Sequence, residues 1–349
     1  MRIAQVAPLL ERVPPELYGG TERVVSYLTE ELVRAGHDVT LFSTADSKTG
    51  ARLAPVCPVA LFRDPDVRDT LPHQVRLMEL VFRDASRFDV IHFHTDYLHF
   101  PLVRRHRGAT LTTLHGQLRP HDVGALFDEY REIPVVSISD AQRRPVPVAN
   151  WQGTVYHGLP RDLFAFHERP DDYLAFVGRM SPEKGVERAI DIARRSGKRL
   201  RIAGKIYPGE DEYYQRTLVP LLESAGAAVE LVGEIGDAEK NEFLGQASAV
   251  LFPIDWPEPF GLVMIEALAC GTPVIAWRRG SVPEVLQDGL TGSIVESVEE
   301  AVRAVDRIDT LDRRACRRVF EERFDAFRMA RDYVDLYQAL RDQAPVGRD

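Results

Sequence analysis

Short β-rich runs alternate with amphipathic helical stretches along nearly the whole chain, and this alternation limits the fold more than any other feature. In the first half the expected strands are Ile3–Ala7, Asp38–Ser43, Val90–His94, Thr110–Leu114 and Val135–Ile138. In the second they are Tyr173–Val177, Arg199–Ala203, Val229–Val232, Ala249–Phe252 and Val274–Ala276. Strands that alternate with helical patterns specify a doubly wound α/β architecture. A helix is expected over Thr21–Ala35, with Val24, Val25, Leu28, Leu32 and Val33 at helical spacing and Gly36 as its stop. With 349 residues, 44% of them hydrophobic, the chain can bury two sizeable cores. The best break is the polar stretch from Tyr156 to Asp172, which Pro160 and Pro170 interrupt. The expected divisions are a Rossmann-like domain over 1–155, a linker over 156–172, a second Rossmann-like domain over 173–324 and a helical segment over 325–349. Two such halves offer ligand sites at the carboxyl ends of their sheets, facing each other across a cleft.

The formal charge of −9 gives no reason to expect nucleic acid. Basic clusters such as Arg104-Arg105-His106-Arg107 and Arg194-Arg195 read as solvated faces, and peripheral membrane contact is not predicted. The first apolar stretch, Ile3 to Leu10, runs straight into Glu11 and Arg12 and reads as a strand, not a signal-peptide core. No run approaches the length needed to cross a bilayer. Cys57, Cys270 and Cys316 are odd in number and far apart, which suits a reducing cytosol and neither a disulfide framework nor a metal site.

Glu258 and Glu266 frame the most informative local segment, E-P-F-G-L-V-M-I-E-A-L-A-C-G. Pro259 suits an early helical position, the apolar run to Ala269 continues a helix, and Gly271 stops it. Glu258 then lies on the loop and Glu266 on the helix, roughly 12 Å apart along the axis if the intervening residues are mostly helical. Two carboxylates so placed can accept hydrogen bonds from a sugar and a ribose, with a diphosphate between them at the positive end of the helix. On spacing alone, a surface cap and a partly buried helix glutamate fit equally well. Tyr18-Gly19-Gly20-Thr21 lies between the first strand and first helix, where bare backbone N–H groups can approach an anion. Gly178-Arg179-Met180-Ser181-Pro182-Glu183-Lys184-Gly185 follows the strand that ends at Val177. Arg179 offers a rigid fork for phosphate oxygens and Lys184 a mobile point charge.

Six of the ten histidines fall between His92 and His121. The rings of His92 and His94 are expected on opposite faces of their strand, unable to chelate one ion. Asp64-Pro65-Asp66 sits in a charged loop with no β-rich run before it, and a structural role is expected for it. No metal is predicted. His115 is placed just beyond a strand, before Gly116, at the carboxyl end of the first sheet.

Taken together, these segments resemble the retaining nucleotide-sugar glycosyltransferases of family 4, the "group 1" family with the GT-B fold. The likeness lies in the Glu258/Glu266 pair, the G-R-x-x-x-x-K-G run from Gly178 to Gly185, T-L-H-G around His115 and L-Y-G-G-T-E-R around Gly19. It is weakest between about Ala51 and Phe88 and after Ser297. Two departures stand out. Gly280-Ser281 occupies the place of a Gly-Gly pair, and Ile254 follows Pro253 where a serine is common.

The resemblance implies catalytic roles for His115, Arg179, Lys184 and Glu258. It implies donor binding by Gly19, Gly20, Arg179, Lys184, Glu258, the backbone around Phe260 and Gly261, and Glu266. It also implies no metal and no cofactor beyond the nucleotide-sugar co-substrate, with Arg179 and Lys184 neutralising the departing diphosphate. The implied reaction is a front-face transfer of a hexose, with UDP-glucose favoured, to a hydroxyl on a small molecule or glycan. A terminal segment crossing back to the first domain belongs to the same picture. Two other readings stay open: a sugar phosphorylase, epimerase or hydrolase on the same fold, and a silent sugar-binding protein. The intact set of motif residues argues against the last.

Overall fold

The computed structural model describes residues 1–17, 19–206 and 211–343; Tyr18 of the glycine-rich run lies outside them. The chain forms two compact units, Met1–Gly158 together with the helix Ala326–Gln343, and Leu159–Asp325. Residues 159–172, read from sequence as linker, group with the second unit.

The first unit holds a seven-stranded sheet of β1 (Arg2–Val6), β2 (Asp38–Ser43), β3 (Arg52–Pro55), β4 (Val90–Phe93), β5 (Ala109–Thr113), β6 (Pro134–Ser137) and β7 (Asn150–Thr154). Their order is β3-β2-β1-β4-β5-β6-β7, and every pair is parallel. The second unit holds a six-stranded parallel sheet of β8 (Tyr173–Val177), β9 (Arg199–Ala203), β10 (Val229–Gly233), β11 (Ala249–Phe252), β12 (Val274–Trp277) and β13 (Gly292–Val295). Its order is β10-β9-β8-β11-β12-β13. In each sheet the strand order reverses beside the first strand, between β1 and β4 and between β8 and β11. Crevices for ligands form at the carboxyl ends of such switch points.

Helices cover both faces of a parallel sheet, so its inner strands read as continuous apolar runs, as Ala249–Phe252 does with all four residues buried. Three strands are not expected from the sequence: β3, β7 and β13. All three are edge strands, so their patterning is diluted by exposure.

The helix Gly20–Arg34 ends as its sequence suggests. Gly36 takes φ +82° and its N–H reaches the Val33 carbonyl at 2.9 Å. The helix Ala326–Gln343 buries Met329, Ala330, Tyr333, Tyr337 and Leu340 on one face, against the 20–34 helix and β5 of the first unit.

Arg313, on the helix Arg313–Arg323, clasps the core of the second unit. Its buried guanidinium donates to the carbonyls of His167 (2.7 Å), Ala247 (2.9 Å) and Gly245 (2.6 Å) and to Thr272 Oγ1 (2.7 Å). Removing it strands carbonyls that no water reaches easily. Arg313→Met is expected to destabilise the second unit by more than about 3 kcal/mol, read as a lowered denaturation midpoint, whereas Arg314→Met on the exposed side should change it little.

Candidate active site

In the second unit the two loops that carry the motif residues leave neighbouring parallel strands at the switch point. Gly178–Gly185 follows β8 and Pro253–Gly261 follows β11. Backbone contacts tie them together. The Asp255 N–H donates to the Glu183 carbonyl at 2.8 Å. Gly185 takes φ +71°, where a Cβ would sit 2.1 Å from the Pro253 carbonyl oxygen, so only glycine lets the loops approach this closely. Arg188 reinforces the join through the Pro253 carbonyl (3.0 Å) and the Asp255 carboxylate (2.6 Å).

This arrangement sets Lys184 Nζ 2.5 Å from Glu258 Oε2, in an ion pair whose side chains are 14% and 11% exposed. Trp256 Nε1 donates to the same oxygen at 2.9 Å, and its ring lies 4.7 Å from the ammonium. Among the described residues, Oε1 of Glu258 receives no hydrogen bond, so that oxygen keeps its acceptor capacity. Arg179 Nη2 pairs with Glu183 Oε1 at 2.7 Å, and Ser181 Oγ donates to the same atom at 2.7 Å. Both motif cations are thus carboxylate-paired, one to Glu258 and one within its own loop.

The glutamate segment begins differently from the sequence expectation. Pro259 does not open the helix; the helix runs Leu262–Cys270, after Gly261 in a left-handed conformation at φ +79°. Met264 and Phe252 crowd the place a Cβ would take at Gly261, which fixes glycine there. Glu258 therefore stands on an extended loop before the helix N-terminus, and only the last part of the 258–266 interval is helical. The helix ends where expected, with Gly271 at φ +83°. Glu266 is buried on the helix, and its Oε1 accepts from Lys240 Nζ at 2.9 Å.

The departure at Gly280-Ser281 has a physical reason. Gly280, at φ +51°, leaves no room for a Cβ beside the Glu258 backbone, with its oxygen 2.2 Å away. The next residue has room and a use for a side chain: Ser281 Oγ donates to the Phe260 carbonyl at 2.8 Å, and its N–H donates to the Glu258 carbonyl at 3.0 Å.

In the first unit, Gly19 precedes the helix Gly20–Arg34 at φ +152°. A Cβ there would lie 2.8 Å from Pro15 and 3.3 Å from Glu22 Oε2. Arg23 braces the loop by donating to the Leu17 carbonyl at 2.6 Å. Glu22, in the first helical turn, is buried, and desolvation with the nearby Glu11 charge pushes its carboxyl up to about 7.

His115 sits beyond β5, its Nε2 2.9 Å from His94 Nδ1 and its ring stacked on His157 with centroids 5.3 Å apart. His115 Nδ1 is buried with no hydrogen-bond partner among the described residues. Burial holds its imidazole down at about 3. The expectation that His92 and His94 face apart was wrong. Residues two apart on a strand share a face, and their ring centroids are 4.1 Å from each other. His94 is hydrogen-bonded to His115. Asp64 caps its own turn, accepting from the Asp66 N–H at 3.0 Å.

The candidate residues thus divide between the units, with Gly19, Gly20 and His115 on the first and Arg179, Lys184, Glu258, Phe260, Gly261 and Glu266 on the second. Trp256, Lys240, Glu22 and His94 join them from the structure. Trp256 and Lys240 partner the two motif glutamates, and only Trp256 carried a hint, lying two residues before Glu258.

Comparison with known proteins agrees with this geometry. The "Glycosyl transferases group 1" family model matches residues 163–321, and the "Glycosyltransferase Family 4" model matches residues 18–150. The D-inositol 3-phosphate glycosyltransferase of Mycolicibacterium smegmatis is 26% identical over 353 residues, spanning 84% of this chain and 79% of that protein. AviGT4, a glycosyltransferase involved in avilamycin A biosynthesis, superposes with TM-score 0.78 at 26% identity over 99% of both chains. Anabaena HepE, solved in complex with UDP and glucose, has TM-score 0.75 at 17% identity, over 97% of this chain and 100% of that one. The fold is therefore GT-B, built on parallel sheets of seven and six strands. Among the described residues, no helix is long and apolar enough to cross a membrane.

The histidine cluster makes a pH prediction. His92, His94, His99, His115 and His157 are all held below their ordinary value of 6.5 chiefly by burial. Their contribution is present above pH 6.5 and is lost as pH falls, because the unfolded chain binds protons the folded one refuses. Glu22 works the other way: its raised value stabilises below about 4.5, and that contribution is lost as pH rises through about 7. Each group acts with a limiting slope of about 1.4 kcal/mol per pH unit, so the five rings outweigh the one carboxyl. Unfolding midpoints of the first unit should fall steeply from pH 7 to pH 5.5, and a flat profile would contradict the burial of neutral rings.

Proposed function

Because the chain belongs to the group 1 glycosyltransferases of family 4, and so is an enzyme that transfers sugar from a nucleotide-sugar, we propose that it moves a hexose, with glucose favoured, from a UDP-sugar to an acceptor hydroxyl. The family retains anomeric configuration, and the proposed route is a front-face displacement without a metal. The observation that carries this reading is the largely buried Lys184–Glu258 pair, set at a sheet switch point by two interlocked loops.

The roles follow from charge and reach. Lys184 and Arg179 neutralise the diphosphate as the sugar leaves, supplying electrostatic stabilisation already aimed at the developing charge. Glu258 offers its uncommitted Oε1 to the sugar hydroxyls while Oε2 is held by Lys184 and Trp256. The backbone around Phe260 and Gly261 lies at the start of the 262–270 helix, whose positive end favours the diphosphate. Glu266, braced by Lys240, accepts from the ribose. The leaving phosphate accepts the acceptor's proton, so no protein base is needed at the reacting hydroxyl. Gly19, Gly20 and His115 are the groups that the family resemblance assigns to the sugar and acceptor. HepE, a fold neighbour bound to UDP and glucose, supports UDP and glucose as the donor parts. The acceptor is a small-molecule or glycan hydroxyl.

A thermal-shift panel of UDP, GDP and ADP, each with its glucose and mannose conjugates, tests the donor: UDP and UDP-glucose should raise the midpoint most. Glu258→Ala and Lys184→Ala should each lower transfer at least about tenfold in folded protein, about 1.4 kcal/mol of transition-state stabilisation. Transfer should persist in EDTA. A complete loss restored by added divalent metal would rule out the metal-free route.

A further inference from the structure

The first unit contains a continuous buried hydrogen-bond chain that runs from the C-terminal helix to His115. Tyr333 OH lies 2.8 Å from Thr113 Oγ1, and Thr113 Oγ1 lies 2.8 Å from His92 Nε2. His92 Nδ1 is 2.7 Å from Tyr337 OH, which accepts from Gln5 Nε2 at 3.1 Å. Gln5 Oε1 is 2.8 Å from His94 Nε2, and His94 Nδ1 is 2.9 Å from His115 Nε2. Gln5, His92, His94, Thr113, Tyr333 and Tyr337 are all buried. Water cannot supply missing partners there.

A chain of this kind transmits the position of protons. A neutral imidazole has one donor and one acceptor nitrogen, so fixing one fixes the other. Gln5 Oε1 has no hydrogen, so His94 must donate to it from Nε2, which makes His94 Nδ1 an acceptor. His115 must then donate from Nε2, leaving its buried Nδ1 as a bare lone pair. Every ring in the cluster is kept neutral by burial, so no second proton blurs this assignment. The reverse direction, with the Gln5 amide turned over, would end on an unpartnered buried N–H at His115. Orphaned buried donors are rarer in native proteins than under-satisfied acceptors.

We propose that Gln5 and His94 are positioning residues, held by Tyr337 of the C-terminal helix, that lock His115 as its Nε2–H tautomer so that Nδ1 presents a lone pair to a ligand hydroxyl. This rests on the reading of the chain as a glycosyltransferase that uses His115. A sugar hydroxyl that must donate fits such a nitrogen, and an ether or deoxy position does not. The C-terminal helix thereby has a chemical task in addition to its packing.

The test is histidine side-chain ¹⁵N NMR on the full-length protein, which distinguishes the two tautomers without any substrate. Wild type should show His115 and His94 protonated on Nε2. Gln5→Met removes the acceptor that fixes the His94 proton on Nε2, so the direction of the His94–His115 hydrogen bond is no longer set and His115 should become a mixture of the two tautomers. In Tyr337→Phe the Gln5 amide loses its anchor, and His115 should become a tautomer mixture; this variant serves if Gln5→Met does not fold. Transfer by Gln5→Met should fall at least tenfold in kcat/KM, with UDP affinity unchanged, since the proposed nucleotide groups lie in the other unit. A wild-type His115 protonated on Nδ1, or an Nε2–H His115 in both folded variants, overturns the proposal. Absence of any sugar transfer by wild type would instead count against the glycosyltransferase reading, and the NMR result would still decide the wiring.

Discussion

Lys184 and Glu258 are held 2.5 Å apart in a nearly dry setting, and the organisation of the second unit converges on that contact. An ion pair taken out of water is costly unless its geometry is good and its remaining valences are satisfied. Here the cost is met by construction: the residues stand on loops leaving adjacent strands, Gly185 lets the loops meet, and Trp256 satisfies the shared carboxylate oxygen. The same devices leave one Glu258 oxygen and the helix start at Gly261 available for chemistry. A site built this way presents both charges to a ligand without first paying to assemble them.

The first unit solves a related problem with neutral groups. Its histidine cluster, four rings buried and His115 partly so, is disfavoured from taking charge by desolvation, so it acts through directional hydrogen bonds, and a glutamine and two tyrosines set those directions. Arg313 does for the second unit's core what Gln5 does for the first unit's cluster, tying together polar atoms that would otherwise be buried without partners. Specificity at the level of single protons and single carbonyls comes from such long-range partners.

That distinction also explains what could be read from the sequence. Inner strands announce themselves because both faces are covered, and Gly36 and Gly271 announce helix ends because the left-handed backbone there favours glycine. Edge strands such as Arg52–Pro55 and Gly292–Val295 are partly exposed and escape a pattern based on burial. Glu258, Lys184 and His115 were legible because they lie in local motifs. Lys240, Gln5 and Tyr337 were not, because each meets its partner across tens or hundreds of residues, and no local spacing encodes that meeting. The misplaced start of the Glu266 helix has the same origin: Pro259 permits a helix, but the backbone of Glu258 is held by Ser281.

A double-mutant cycle on Lys184→Met and Glu258→Gln, read as kcat/KM for sugar transfer, tests the central claim most directly. If the two act as one preassembled unit, the double variant should be little worse than the more damaged single variant, giving a coupling of at least about 1.4 kcal/mol. Strictly additive losses would mean that the residues act independently and that their pairing has no part in transfer.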